Sequence, residues 1–219
     1  PPSMVADPPL AARATPPGGY RALVVGASTG GPEALRAFLG ELPPLPVPVA
    51  VVQHMPPVFT RQFAARLDRQ LAAAVVEAEV GSRLLPGTVL VAPGDHHLHV
   101  GGSAAAPVVS LSQEAPENYC RPAVDVLFRS AAAVYGAHVL AVVLTGMGHD
   151  GCAGARAVVE AGGSVLVQDR ESSVVWGMPG SVATAGLAEA VLPLADLAAA
   201  VSQRLVGSRV AVGAGGGVR

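Results

Sequence analysis

Three short stretches carry side chains that together could transfer an acyl group. Residues 26–31 read Gly-Ala-Ser-Thr-Gly-Gly, after the run Arg21-Ala-Leu-Val-Val25 and before Pro32-Glu33-Ala-Leu-Arg-Ala-Phe-Leu39. This is a strand, a tight turn and a helix start, and residues 26–30 fit the nucleophile-elbow pattern G-x-S-x-G around Ser28. Small residues let the chain reverse sharply while the serine oxygen stays exposed. The second stretch, Gln53-His-Met-Pro-Pro57, holds His54, and the third, Thr145-Gly-Met-Gly-His-Asp-Gly151, holds Asp150. A hydroxyl, an imidazole and a carboxylate are the set that nucleophilic acyl transfer requires. His54 would take the Ser28 proton during attack and return it to the leaving group, and Asp150 would orient the imidazole. The backbone N–H of Thr29, the residue after the serine, is the natural first oxyanion donor, and the glycine loop 146–151 can supply a second. The chain order Ser…His…Asp differs from the Ser…Asp…His of α/β-hydrolases, so the same chemistry would sit on another lineage.

Each element has a plainer alternative. A glycine-rich strand-to-helix turn also binds phosphate, but no Gly-Lys-Ser/Thr follows here, and Gln53-His54 stands where a dinucleotide site wants an acid. A strand-end histidine is often structural, and Asp150 could cap the helix expected at 151–161. His149 is a rival base, although neighbours on a tight loop rarely face one another. Asp95-His-His-Leu-His99 invites a metal reading, with His97 and His99 on one face of a strand and nothing near to complete the set. Cys152 begins a helix, where a thiol can become reactive or simply pack. Met55, Met147 and Met178 flank the same rim and could line a pocket or fill the core.

The elements that must position these residues follow from periodicity. Strands are expected at 21–26, 48–53, 73–77, 88–92, 138–145, 163–168 and 189–193, and helices at 32–41, 57–71, 122–135, 151–161, 179–186 and 194–205. Pro32, Pro57, Pro122 and Pro179 suit first helical positions, and Gly136, Gly162 and Gly186 suit helix ends. Continuous apolar strands such as Val-Leu-Ala-Val-Val-Leu are buried on both faces, which predicts a doubly wound α/β fold with a mainly parallel sheet flanked by helices. A β-hairpin near 97–111 interrupts that alternation. Ligands bind such sheets outside the carboxyl ends of the strands, where Ser28, His54 and Asp150 all fall.

Composition narrows the function classes. Of 219 residues 51% are apolar and 14% charged, and the net charge is −2. That is a core-rich globular chain with no basic stripe for nucleic acid and no polybasic run for a membrane surface. Two cysteines, Cys120 and Cys152, make no disulfide framework and point to a reducing, cytoplasmic setting. The uncharged stretch Ser130–Gly148 reads as a helix end and a buried strand rather than a membrane span. Residues 1–19 read as a linker-like segment without signal-peptide character, 20–207 as the catalytic domain and 208–219 as a glycine-rich flexible tail.

The motifs taken together resemble the catalytic domain of the chemotaxis protein-glutamate methylesterases. The likeness runs through Gly26-Ala-Ser-Thr-Gly-Gly-Pro-Glu33, Gln53-His-Met-Pro-Pro57, Phe59-Thr-Arg61, Phe63-Ala64, Glu77-Ala78, Leu85-Pro-Gly87 and Ala92-Pro-Gly-Asp95. It continues through Arg121-Pro-Ala-Val-Asp-Val-Leu-Phe128, Leu144-Thr-Gly-Met-Gly148, Asp150-Gly151 and Gly177-Met-Pro179. The resemblance implies a cofactor-free and metal-free serine esterase that removes methyl groups from glutamyl esters on the cytoplasmic helices of chemoreceptors and deamidates receptor glutamines. It places the triad on Ser28, His54 and Asp150 and the backbone oxyanion donors on Thr29 and Met147. It also implies a receiver domain, which is absent from this chain. Three positions depart from the family pattern: His149 where asparagine is frequent, Cys120 where histidine is common before Arg-Pro, and Trp176 where phenylalanine is frequent.

Overall fold

The structure, a computed structural model, describes residues 14–210, with side chains as far as residue 205. Strand–helix alternation builds β1 (Ala22–Ala27), α1 (Gly31–Gly40), β2 (Val49–Gln53), α2 (Pro57–Gln70), β3 (Ala74–Glu77) and β4 (Thr88–Val91). A hairpin follows, β5 (His97–Ser103) and β6 (Ala106–Ser112), then α3 (Val124–Tyr135), β7 (Val139–Val143) and α4 (Cys152–Glu160). The described residues end in β8 (Ser164–Gln168), α5 (Met178–Thr184), β9 (Ala190–Leu192) and α6 (Leu194–Val210).

Seven strands form one sheet in the order β3-β4-β2-β1-β7-β8-β9, every neighbouring pair parallel. The expected doubly wound α/β architecture is what the chain adopts. β1 lies at the centre; the chain winds out from it to β2 and later returns to its other side at β7. That reversal opens a crevice beyond the carboxyl ends of β1, β2 and β7. Both faces are covered, so alternate residues of one strand enter different cores. Ala22 and Val24 of β1 pack with α3, α4, α5 and the hairpin, while Leu23, Val25 and Ala27 pack with α1, α2 and α6.

Local chemistry explains the element ends. Pro32, Pro57 and Pro179 stand in the first turns of α1, α2 and α5, where a missing N–H costs nothing. Pro122 does not open α3: the helix starts at Val124, and the Arg121–Pro122 peptide is cis. The reason is that the free N–H groups of Val124 and Asp125 are taken by a carboxylate from elsewhere in the fold, described below. The hairpin is longer than its turn composition suggests, pairing Ser103 with Ala106 across Ala104-Ala105. The stretch Ser130–Gly148 divides into the end of α3, a 3₁₀ turn at Gly136–His138, β7 and a loop. Among the described residues no helix is long and apolar enough to cross a membrane. The calls on residues 1–13 and 211–219 lie outside the described residues.

One close approach brings α3 to the crevice. A Cβ on Gly26, near the end of β1, would lie 2.4 Å from Val124 Cγ1, so only glycine lets the first residue of α3 rest on the strand. Gly26→Ala is expected to destabilise the chain by about 1–3 kcal/mol through this overpacking. Gly101→Ala, where the nearest atom is 3.8 Å away, is expected to stay within about 0.5 kcal/mol. Urea denaturation of the two variants checks the contrast.

Candidate active site

β1 delivers Ser28 to the crevice through a turn whose backbone is fully engaged. The Ser28 N–H donates to the Thr145 carbonyl (3.0 Å), and the Ser28 carbonyl accepts from Gly31 N (2.8 Å) and Gln53 Nε2 (2.9 Å). Gly30 makes the turn possible with φ 79°, a left-handed conformation that glycine adopts without steric cost. The turn leaves the Ser28 side chain half-buried at the surface of the crevice.

β2 delivers His54. Its backbone N–H extends the parallel ladder to the Ala27 carbonyl (3.1 Å), which places the imidazole beside the serine turn. Nε2 lies 2.7 Å from Asp150 Oδ2, and Nδ1 lies 3.5 Å from Cys120 Sγ. With Nε2 donating to a carboxylate, the neutral ring carries its lone pair on Nδ1. Among the described residues Ser28 Oγ makes no hydrogen bond to His54; the thiol of Cys120 faces the free nitrogen instead. Catalytic hydrogen bonds often tighten only when substrate is bound.

Asp150 follows β7 and is 2% exposed. Its Oδ2 accepts from His54 and from Val124 N (2.7 Å). Its Oδ1 accepts from Asn118 Nδ2 (3.1 Å), Asp125 N (3.0 Å) and Gly151 N (3.0 Å). The capping alternative is thus realised in another place: Asp150 receives the first N–H groups of α3, while α4 starts behind Gly151 with no side-chain cap. Burial works against the carboxylate, but the His54 hydrogen bond and the two α3 N–H groups outweigh it and hold Asp150 below its ordinary range. The effect on His54 is complementary. Burial disfavours the imidazolium, yet the Asp150 hydrogen bond and the Cys120 sulfur prevail and raise its pKa from 6.5 to about 9.

The neighbouring backbone has donors to spare. The N–H groups of Thr29 and Met147 have no acceptor among the described residues, and both residues are exposed, Met147 by 71%. Thr145 holds the two loops together: its buried hydroxyl lies 2.9 Å from the Thr29 carbonyl and accepts Val175 N (3.0 Å). Gln168 Oε1 in turn accepts Thr145 N (2.8 Å).

The other sequence candidates separate. His149 is exposed on its loop. His97 is buried with both nitrogens used, Nδ1 accepting Ala123 N and Nε2 donating to the Ala115 carbonyl. His99 faces Ser112 Oγ (2.9 Å). Cys152 donates to the Ser181 carbonyl, and burial raises its thiol pKa, so its helix start does not activate it. Met178 is fully buried, Met55 packs against the α1–α2 side of the core, and Met147 stays exposed.

Several site residues escaped sequence reasoning. Asn118, at φ 53°, bridges Asp150 and Asp125 with one amide nitrogen (3.1 and 2.8 Å). Asp125 is buried, accepts from Gly154 N, and is pushed up by burial. Gln53 ties the carbonyls of Ser28 and His54 together. Gln53 and Asp125 stand inside the motifs that carry the family resemblance, Cys120 departs from the family pattern, and Asn118 carries no mark in the sequence.

Because His54 is raised in the folded state, its contribution to stability is complete below pH 6.5 and disappears as pH rises to about 9. NMR titration of the His54 ring is expected to give a midpoint well above 6.5, and Cys120→Ser is expected to lower it. A midpoint at the ordinary value would remove this account of the pair.

Comparison with known proteins gives one consistent picture. The family model described as CheB methylesterase matches residues 23–201. A protein-glutamate methylesterase/protein-glutamine glutaminase from Nocardioides sp. is 68% identical over 201 residues, covering 91% of this chain and 55% of the relative. One from Pseudomonas aeruginosa is 52% identical over 182 residues, covering 83% of this chain and 52% of its own length. The chain therefore spans about half the length of the curated relatives it matches. The crystal structure of the Thermotoga maritima CheB methylesterase catalytic domain superposes with a TM-score of 0.80 at 42% identity, covering 86% of this chain and 98% of that one. With a family model matched from β1 into α6 and a solved relative of the same architecture, the chain belongs to the CheB methylesterase family.

Proposed function

We propose that the chain hydrolyses methyl esters of glutamate side chains on the cytoplasmic helices of chemoreceptors, and deamidates receptor glutamines at the same site. The observation that carries the reading is the buried His54–Asp150 pair, set beside a serine turn at the carboxyl ends of β1, β2 and β7. Names of the relatives supply the substrate class, and the geometry supplies the steps.

Ser28 Oγ attacks the ester carbonyl while His54 Nδ1 takes its proton. Nδ1 is the working nitrogen because Nε2 is committed to Asp150 (2.7 Å). The Cys120 thiol gives way at that nitrogen when Ser28 engages it. Negative charge on the tetrahedral oxygen is met by the N–H groups of Thr29 and Met147, which have no other acceptor among the described residues. The imidazolium then gives its proton to the leaving methoxide, and methanol departs. Water attacks the acyl-enzyme, His54 again takes the proton, and the glutamate is released with Ser28 restored. With glutamine the leaving group is ammonia. Asp150 stays ionised throughout and stabilises the imidazolium.

A helical protein surface suits the exposed apolar residues around the site. Val58 and Phe59 follow His54, Tyr119 precedes Cys120, Met147 lies on the β7–α4 loop, and Val174 touches Gly30's side of the turn. All five are at least half exposed.

Methanol release from a methylated receptor fragment tests the reading. Ser28→Ala is expected to lose about a million-fold in kcat and Asp150→Asn about ten-thousand-fold, while both remain folded. Since the base must be neutral, kcat/KM is expected to climb from neutral pH toward about 9. Undiminished turnover by Ser28→Ala, or a flat profile over that range, would contradict the assignment.

A further inference from the structure

Cys120 is held where no step of ester hydrolysis needs it. It sits on a tight loop in which Glu117 N donates to the Cys120 carbonyl (3.1 Å) and Cys120 N to the Glu117 carbonyl (2.9 Å). Asn118, inside that loop, anchors it to Asp150 Oδ1 (3.1 Å), while Oδ2 of the same carboxylate holds His54 (2.7 Å). One buried group thus sets the position of both the thiol and the imidazole. The result is a Sγ to Nδ1 separation of 3.5 Å.

That separation is also the bite of a tetrahedral zinc ion. A Zn–S bond of about 2.3 Å and a Zn–N bond of about 2.0–2.1 Å, meeting at a tetrahedral angle, place the two donor atoms about 3.5 Å apart. The outer shell is ready as well. A ligating histidine usually gives its other N–H to a carboxylate, which fixes the tautomer and strengthens the ligand, and Asp150 already accepts from Nε2. Donor atoms of His54, Cys120 and Asp150 all lie within 4.8 Å of one another, the only such group of three among the described residues. Asp150 is saturated by N–H donors, so it serves as the outer partner rather than as a ligand. His54 and Cys120 both reach the surface in part, which leaves the remaining coordination positions to water.

We propose that His54 Nδ1 and Cys120 Sγ form a binding site for one thiophilic divalent cation, with Zn²⁺ the best fit, and that its occupancy withholds the imidazole lone pair from Ser28. On binding, the thiol and the imidazolium Nδ1 each release a proton to solvent, sulfur–metal and nitrogen–metal bonds form, and nothing is oxidised. The site itself stands on geometry; its effect on turnover rests on the ester-hydrolase reading above.

Cadmium and zinc titrations of the whole chain test this. One Cd²⁺ per chain should raise a thiolate-to-cadmium charge-transfer band that is lost in Cys120→Ser and kept in Cys152→Ser. Zn²⁺ affinity should fall at least tenfold in Cys120→Ser. In the unsubstituted chain Zn²⁺ should move the ¹⁵N resonance of His54 Nδ1 far more than that of Nε2, a readout that needs no variant at His54. A band that survives in Cys120→Ser, or an unmoved Nδ1 resonance, would overturn the site. Methanol release should fall in step with occupancy and recover with a chelator; full turnover at full occupancy would overturn the inhibitory half. A chain that binds the ion at these atoms yet hydrolyses no ester would count against the hydrolase reading and leave the site established.

Discussion

The site depends on how one buried carboxylate is satisfied. Asp150 is withdrawn from water, which alone would favour its neutral form. Five donors reverse that: three backbone N–H groups, an asparagine amide and the His54 imidazole. Because the donors come from β2, the 117–120 loop, α3 and the start of α4, stabilising the charge also assembles the site. Removing the carboxylate would leave the first N–H groups of α3 without an acceptor at a buried helix end.

The parallel sheet supplies the frame for that charge. Its central strand passes between β2 and β7 with matched register, Ala27 opposite Gln53 and Gly26 opposite Val143, so three chain segments emerge side by side. Their exits hold Ser28, His54 and the loop of Asp150. Rigid strands packed on both faces keep these exits in place, and the residues proposed to do the chemistry lie on the loops beyond them. Gln53 and Thr145, both buried at strand ends, lock the loops by bonding their carbonyls.

The imidazole is turned so that Nε2 meets the carboxylate and Nδ1 is left to the serine or to Cys120. The orientation follows from the chain's path: His54 leaves β2 with its backbone tied to Ala27, and Asp150 approaches beneath α3. A thiol faces the nitrogen that we propose as the base. It contributes to the raised pKa of His54 and gives this site a donor pair that a hydroxyl neighbour would not provide.

Much of the fold and the three rim residues were legible in the sequence. Apolar runs, proline-led helix starts and the Gly26–Gly31 turn are local signals, and local periodicity is enough to order strands and helices and to put Ser28, His54 and Asp150 just past strand ends. Parallel pairing follows from runs that are apolar on both faces. What tertiary structure alone decided is who touches whom around the charge. Asn118 reaches Asp150 across 32 positions, Cys120 meets His54 across 66, and His54 meets Asp150 across 96. Asp125, Gln53 and Thr145 bear no local mark of their roles, and α3 begins at Val124 rather than at Pro122 because a distant carboxylate takes its N–H groups. Such contacts depend on how layers pack, and hydrogen bonds between distant segments leave no periodicity in the chain that makes them.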